Sequence, residues 1–393
     1  MLFSLALIFL LGIIMGGIFN KLKLPSLLGM IITGVILGPY VLNVLDDNIL
    51  LISSDLRKIA LVIILTRAGL ALNIKDLKKV GRPAILLCFI PAVFEILACT
   101  FLAPMFFKIT TLEGAIMGTV IAAVSPAVIV PRMLKLMEEG YGKKNSIPQM
   151  IMAGATVDDI FVIVLFTSFT GIATGEGNFT AATLLQVPIS IILGVVIGLA
   201  SGYVLYKIFK NIHIRDSIKV LLIISVSFLL ITLEDMLEGI VPISALLAIM
   251  SIGVALLKLD ENLSKRISSK YNKLWVGAEV LLFVLVGATV NVQYVIKSGI
   301  GAIILILVCL MFRMIGVYCC LIKTKLSTKE RVFCMIGYSP KATVQAAIGA
   351  MPLAMGLSCG EIILTVAVLS ILITAPLGAI GIDRTYNKFL DKK

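Results

Sequence analysis

The chain has 393 residues, of which 60% are hydrophobic and 14% charged, and its mean hydropathy is +1.10. A soluble domain carries roughly a quarter charged residues, and no water-soluble fold hides this much apolar surface, because the outside of a globule must be wetted. The solvent is a bilayer, and the net charge of +12 points to membrane topology rather than to a nucleic-acid partner.

A bilayer core takes about 20 apolar residues per spanning helix, and only helices and closed barrels satisfy their backbone polar groups in lipid. The apolar stretches are long runs rather than ten-residue alternations. They predict an all-α polytopic membrane protein of about thirteen spans. The spans lie near 2–19, 25–43, 56–73, 82–107, 111–136, 147–174, 181–209, 217–233, 240–257, 273–293, 297–322, 329–356 and 361–381. The first reads as a span rather than a cleaved signal peptide, since no basic residue precedes it while Lys21 and Lys23 follow. The connections are short, which predicts a single membrane transporter domain over 1–393.

Basic residues collect in alternate connections. They are Lys21 and Lys23, then those within 75–82, 132–144, 207–219, 258–273, 323–331 and 384–393. The other side keeps Arg57, Lys58, Lys108 and Lys297 with Asp46, Asp47, Glu234, Asp235 and Glu238. The positive-inside rule then sets the N-terminus outside and the C-terminus in the cytoplasm of a multi-pass protein of the cell (inner or plasma) membrane. The seven cysteines sit in or beside apolar segments without a C-x-x-C pair, so they read as packing residues. His213, the one histidine, falls in a basic loop and reads as solvated.

A few charges lie inside the predicted spans: Arg67, Arg313 and Lys341, with Glu95, Asp158, Asp159 and Glu279. A charge at the bilayer centre costs roughly 2.5–3.5 kcal/mol on insertion scales and marks an ion pathway or a buried pair. Asp158 and Asp159 stand in "GATVDDIFVIVLF", and adjacent residues on a helix point about 100° apart. Burial and mutual repulsion oppose ionising both at once, and the pair titrates as a unit. A carboxylate that gives up its proton when a cation arrives is the minimum chemistry of an antiporter.

Two prolines repeat a pattern. "VSPAVIV" in the fifth span holds Ser125 and Pro126, and "YSPKATV" in the twelfth holds Ser339 and Pro340. Proline removes a backbone donor and clashes with the preceding turn, so both spans are expected to break near the midplane. Each is the fifth helix of a six-helix unit. Repeat one covers about 2–174, a linker helix about 181–209 and repeat two about 217–381. Two such units joined by one span are inverted relative to each other, as in transporters with discontinuous helices at the midplane. Broken helices leave dipole ends that charged residues offset. Lys341 is placed for that task and for pairing with Asp158. Glu95 and Arg313, at equivalent places in the two repeats, are expected to pair as a core bridge. Arg67 is near enough to the cytoplasmic end to snorkel, and Glu279 is a candidate for a cytoplasmic funnel.

"AAVSPAVIVPRML", "AGATVDDI", "LTRAGLALN", "SPKATVQAAIGAMPLA" and "AVLSILITAPLGA" resemble the NHA branch of the monovalent cation–proton antiporter superfamily, over nearly the whole chain. The resemblance implies an NhaA/NapA-like fold, with a scaffold or dimerisation domain and a mobile six-helix core. It also implies a homodimer, elevator-like alternating access, transported Na⁺ or Li⁺ and H⁺, and no cofactor. By the same resemblance Asp159 is the main cation ligand and proton carrier, and Asp158 is the neighbouring carboxylate that pairs with Lys341. Thr156 and Ser125 help coordinate the ion, and Glu95 with Arg313 forms the core salt bridge. Val124 and Ser125 precede Pro126 where some relatives carry Thr-Asp, which removes one carboxylate ligand. The long cytoplasmic tail of many eukaryotic relatives is missing from the sequence.

A sodium-coupled symporter of an organic anion uses the same kind of repeat and is the alternative to antiport. An intramembrane aspartyl protease needs carboxylates that meet from different helices, and adjacent residues on one helix diverge. Small-residue spacing at Gly194, Gly198 and Gly202, and at Gly34 and Gly38, predicts close helix packing inside the protein.

Overall fold

A computed structural model describes residues 1–71, 81–174, 181–212, 214–237, 241 and 243–392, without the side chains of 71, 156, 160, 181–188, 191 and 294–298. Lys75, Lys78, Lys79, His213 and Glu238 therefore lie outside the described residues, as do the side chains of Thr156 and Lys297.

The described elements are α1 (Leu2–Lys21), α2 (Ser26–Leu37), α3 (Asp47–Leu51), α4 (Ser53–Ala71), α5 (Arg82–Leu87) and α6 (Ile90–Phe106). They continue with α7 (Thr111–Ala122), α8 (Pro126–Glu138), α9 (Ile147–Ala173), α10 (Ala181–Asn211), α11 (Asp216–Met236) and α12 (Ala245–Leu259). The rest are α13 (Glu261–Ala288), α14 (Val292–Cys320), α15 (Thr328–Gly337), α16 (Thr343–Ile348), α17 (Met351–Ala354) and α18 (Gly360–Phe389). Among the described residues nine helices are long and apolar enough to cross a membrane, and Ser26–Leu37, Ala245–Leu259 and Thr343–Ala354 are shorter apolar ones.

Helix α1 shows why these helices suit lipid. It buries Ser4, Ile8, Gly12 and Gly16, four residues apart on one face, and exposes Leu2, Phe3, Leu10, Ile13 and Ile14. Small residues let backbones approach while large apolar ones face outward, the reverse of a soluble helix.

The chain divides into two packed units. One comprises Met1–Ser54, Asn73–Phe166 and Leu282–Lys393. In it α2 meets the end of α13 so closely that a Cβ at Gly34 would overlap the Val284 carbonyl oxygen. The end of α18 returns to the α8–α9 connection, where Gly142 N donates to Asp391 O at 2.9 Å and Tyr141 packs edge-on against Tyr386.

The other unit is Asp55–Leu72 with Thr167–Leu281. Gly194, Gly198 and Gly202 of α10 press against α12, and a Cβ at Gly198 would overlap the Ala248 carbonyl. The close packing expected from their spacing is present within this unit. Arg57, read from sequence as lying on the outer side, is buried at 6% exposure near the start of α4. Arg67 and Glu279 are half-buried and attract each other electrostatically, and the Trp275 indole donates to Glu279.

Candidate functional site

Two interrupted helices meet inside the first unit. Helix α7 starts from a capping box, with Thr110 Oγ1 accepting from Glu113 N at 3.2 Å and Glu113 accepting from Thr110 N at 2.7 Å. It ends at Ala122, the backbone is extended at Ala123 and Ser125, and α8 begins with Pro126. Proline suits the first turn of a helix, where its missing N–H costs nothing. Helix α15 also starts from a capping box, Ser327 with Glu330, and ends at Gly337. Ser339, Pro340, Lys341 and Ala342 are non-helical before α16 resumes at Thr343. The two unwound strands are joined where Ser125 N donates to Pro340 O at 2.8 Å.

Stopping α7 inside the protein leaves its last carbonyls without intrahelical donors, at the negative end of the helix dipole. Three side chains supply what is missing. Lys341 Nζ donates to Ile121 O, Arg313 Nη1 donates to Ala122 O, and Gln345 Nε2 donates to Ala123 O at 2.8 Å and Ile121 O at 3.3 Å. Two of the three are cations, as the dipole favours.

Those cations each meet a carboxylate. Arg313 reaches Glu95 at 3.2 Å and Asp158 Oδ2 at 2.7 Å, and Lys341 Nζ lies 2.6 Å from Glu95 Oε1. Arg313 Nε also donates to Tyr338 O at 2.9 Å, and the guanidinium lies over the Tyr338 ring. Val124 N donates to Asp158 Oδ2 at 3.0 Å. Glu95, Asp158, Arg313 and Lys341 are each at 0% exposure, so two positive and two negative charges close a neutral quartet in the interior. Taking ions out of water is offset only by such full pairing and hydrogen bonding.

The sequence pairing of Glu95 with Arg313 describes one edge of this quartet. The expected pairing of Asp158 with Lys341 is corrected: Asp158 holds Arg313, and Lys341 holds Glu95. The planar five-donor guanidinium spans several acceptors in different directions, whereas the ammonium is one compact point charge.

Asp159 stands outside the quartet. Its Oδ1 is shielded from solvent and has no hydrogen-bond partner among the described residues. Asp158 Oδ1 and Gln345 Oε1 are likewise shielded and unpartnered. Ser125 Oγ lies 3.5 Å from Thr343 Oγ1, either hydroxyl being able to donate. The first unit thus holds buried oxygen acceptors without partners among its described residues, the ligand type that hard cations take. The side chain of Thr156, the remaining expected ligand, lies outside the described residues.

Sequence reasoning missed Gln345, Thr343 and Tyr338. The signal for Gln345 was present: an amide in an otherwise apolar run needs partners once buried.

The sodium/hydrogen exchanger transmembrane family model matches residues 5–388. The chain belongs to the sodium/hydrogen exchanger family. It is 33% identical to human sodium/hydrogen exchanger 9B2 over 416 residues, covering 100% of this chain and 75% of that protein. Human sodium/hydrogen exchanger 9B1 is 32% identical, covering 96% of this chain and 76% of that protein. In fold the chain is similar to the sodium proton antiporter MjNhaP1 of Methanocaldococcus jannaschii. The TM-score is 0.85 at 22% identity, covering 98% of this chain and 97% of that one.

Proposed function

We propose that this member of the family exchanges Na⁺ (or Li⁺) for H⁺ by letting the two compete for Asp159 at the helix crossing. The observation that carries this is the set of ion pairs: four buried charges neutralise one another, and Asp159 stands outside them with its shielded Oδ1 unpartnered among the described residues. Such a carboxylate is stable with a proton or with a cation, and not bare. Asp158 shares the ion through its open Oδ1, and the hydroxyls of Thr156 and Ser125 replace part of its water. The quartet supplies a fixed neutral floor, so the charge that changes during the cycle is that of Asp159 alone.

Thirteen spans is the reading we carry forward, and the shorter apolar helices Ser26–Leu37, Ala245–Leu259 and Thr343–Ala354 beside the nine long ones are compatible with it. Repeats of about 2–174 and 217–381, with a linker helix between, place Pro126 and Pro340 at equivalent helices. The matching breaks support elevator-like alternating access; the homodimer rests on the family resemblance, and the orientation, N-terminus outside and C-terminus cytoplasmic, on the alternation of basic connections.

The test is dequenching of an imposed proton gradient in proteoliposomes on adding Na⁺, Li⁺ or K⁺, with wild type and Asp159→Asn in parallel. Na⁺-dependent dequenching lost in the variant is the expected result. Equal dequenching by folded Asp159→Asn would remove Asp159 from the coupling step.

A further inference from the structure

Two buried oxygens of the first unit lie near each other without partners. Asp158 Oδ2 accepts from Arg313 Nη2 at 2.7 Å and from Val124 N at 3.0 Å. Oδ1 of the same carboxylate accepts from nothing among the described residues. The Tyr338 hydroxyl, on a side chain of a residue only 1% exposed, is in the same condition. Buried polar groups are almost always hydrogen-bonded, to protein or to ordered water.

Their separation follows from the geometry of α9. A Cβ added at Gly154 would overlap the Tyr338 hydroxyl, so that oxygen takes the place of a side chain one turn before Asp158. Residues four apart on a helix have Cβ atoms about 5–6 Å apart, and the later side chain leans back over the earlier one. The Asp158 carboxylate therefore leans towards the Tyr338 oxygen, yet no hydrogen bond joins them. Tyr338 is fastened to the same carboxylate at its other end. Arg313, which holds Asp158, donates from Nε to Tyr338 O at 2.9 Å and lies 5.7 Å from the ring centre.

Cys88 closes a third side. It follows Leu87, whose Cβ would stand 3.0 Å from the same added Cβ at Gly154. The Cys88 thiol donates to Ala84 O at 3.1 Å, which leaves its sulfur as a weak acceptor. Asp158 is the charged group that acts most strongly on both the Tyr338 hydroxyl and the Cys88 thiol.

We propose that one buried water bridges Tyr338 Oη and Asp158 Oδ1, with Cys88 Sγ as its third neighbour, and that Tyr338 thereby positions Asp158 for the transported cation. The water accepts from the phenol and donates to Oδ1 and, more weakly, to Sγ. That makes about three partners, the usual number for a buried water. Oδ1 keeps a second lone pair for the ion. The second interrupted helix is then tied to α9 through both ends of Tyr338, the carbonyl by way of Arg313 and the hydroxyl by way of the water. The effect on the cation rests on reading Asp158 as one of its ligands; the bridge itself does not.

The experiment compares the full chain of wild type and Tyr338→Phe in two ways. Structures of both, at a resolution that shows ordered water and without Na⁺, test the bridge. A water within hydrogen-bonding distance of Oη and Oδ1 is expected in wild type, and none at that point in the variant. An empty gap, a direct bond between the two oxygens, or a water unmoved in the variant would overturn the proposal. Transport in proteoliposomes tests the positioning role. Tyr338→Phe is expected to raise the half-saturating Na⁺ concentration by about threefold or more, the worth of one net hydrogen bond. Half-saturation does not depend on how much protein is folded, so a merely structural tyrosine would not move it. A smaller shift would overturn the positioning role. Should Asp159→Asn still couple Na⁺ to H⁺, the reading of the crossing as the transport site fails, and the structures still decide the bridge.

Discussion

Lys341 Nζ sits 2.6 Å from Glu95 Oε1, so the lysine of the second interrupted helix is tied to α6 and not to the aspartate helix α9. Both groups are at 0% exposure. Removing either partner strands a buried charge, which costs about 3–5 kcal/mol. Glu95→Gln and Lys341→Met are each expected to lower thermal stability in detergent by that order. The double variant should lose clearly less than the sum, because the two losses share one contact. Additive losses would mean that the contact carries little energy.

Arg313 holds Glu95, Asp158, Ala122 O and Tyr338 O together. Arg313→Lys keeps the charge and loses the fork. It cannot reach all four acceptors, so it is expected to destabilise the fold by about 1–3 kcal/mol, the cost of leaving buried acceptors unmet. Melting temperature and transport rate should fall together. A wild-type melting temperature would show that charge alone is what the site needs.

Gly154 lies one turn before Asp158 on α9, and a Cβ there would overlap the Tyr338 hydroxyl. Gly154→Ala is expected to destabilise by about 1–3 kcal/mol, the usual cost of overpacking. The overlapping atom is the hydroxyl oxygen, which has no hydrogen-bond partner among the described residues. Tyr338→Phe should therefore recover much of the loss in the Gly154→Ala background, as judged by thermal unfolding and yield of monodisperse protein. No recovery would place the strain elsewhere.

Away from the spans, Asp46 accepts from the N-terminal ammonium at 2.7 Å and from Asn48 N at 2.9 Å. The ammonium contact first, and the Asn48 bonds second, hold its carboxyl below the ordinary carboxylate range. A depressed value in the folded state gives stability that is present above the unfolded value and lost as pH falls through the folded one. Asp46→Asn keeps a good helix cap. It should leave stability near neutral pH nearly unchanged and flatten the acid limb below about pH 4. Asp46 is half-buried and its ammonium partner exposed, so solvent screens the pair and the effect is small; an unchanged acid limb would show that the contact contributes nothing in solution.

Much of the helical layout was readable because lipid imposes a simple rule of long apolar runs. Pro126 and Pro340 announced the two interruptions because a missing N–H has the same consequence anywhere in a helix. The charged residues were readable as a set, since each is costly in lipid. Their partners were not all readable. Asp158 and Lys341 looked matched, yet the rotation of each strand after an unwound stretch decides which side chains meet. The reach of Arg313 across four acceptors gave it the carboxylate that the lysine was expected to take. Gln345 escaped because a neutral amide has no charge to flag it, and its task exists only once α7 is interrupted.

The most direct test of competition at Asp159 is Na⁺-triggered proton release from purified protein in weakly buffered detergent, followed with a pH indicator. Wild type should release protons on adding Na⁺, and less as the starting pH rises and the site is already empty of protons. Asp159→Asn, shown to be folded, should release none. Undiminished release from that variant, or no release from wild type under conditions where it transports, would contradict a shared site for cation and proton at Asp159.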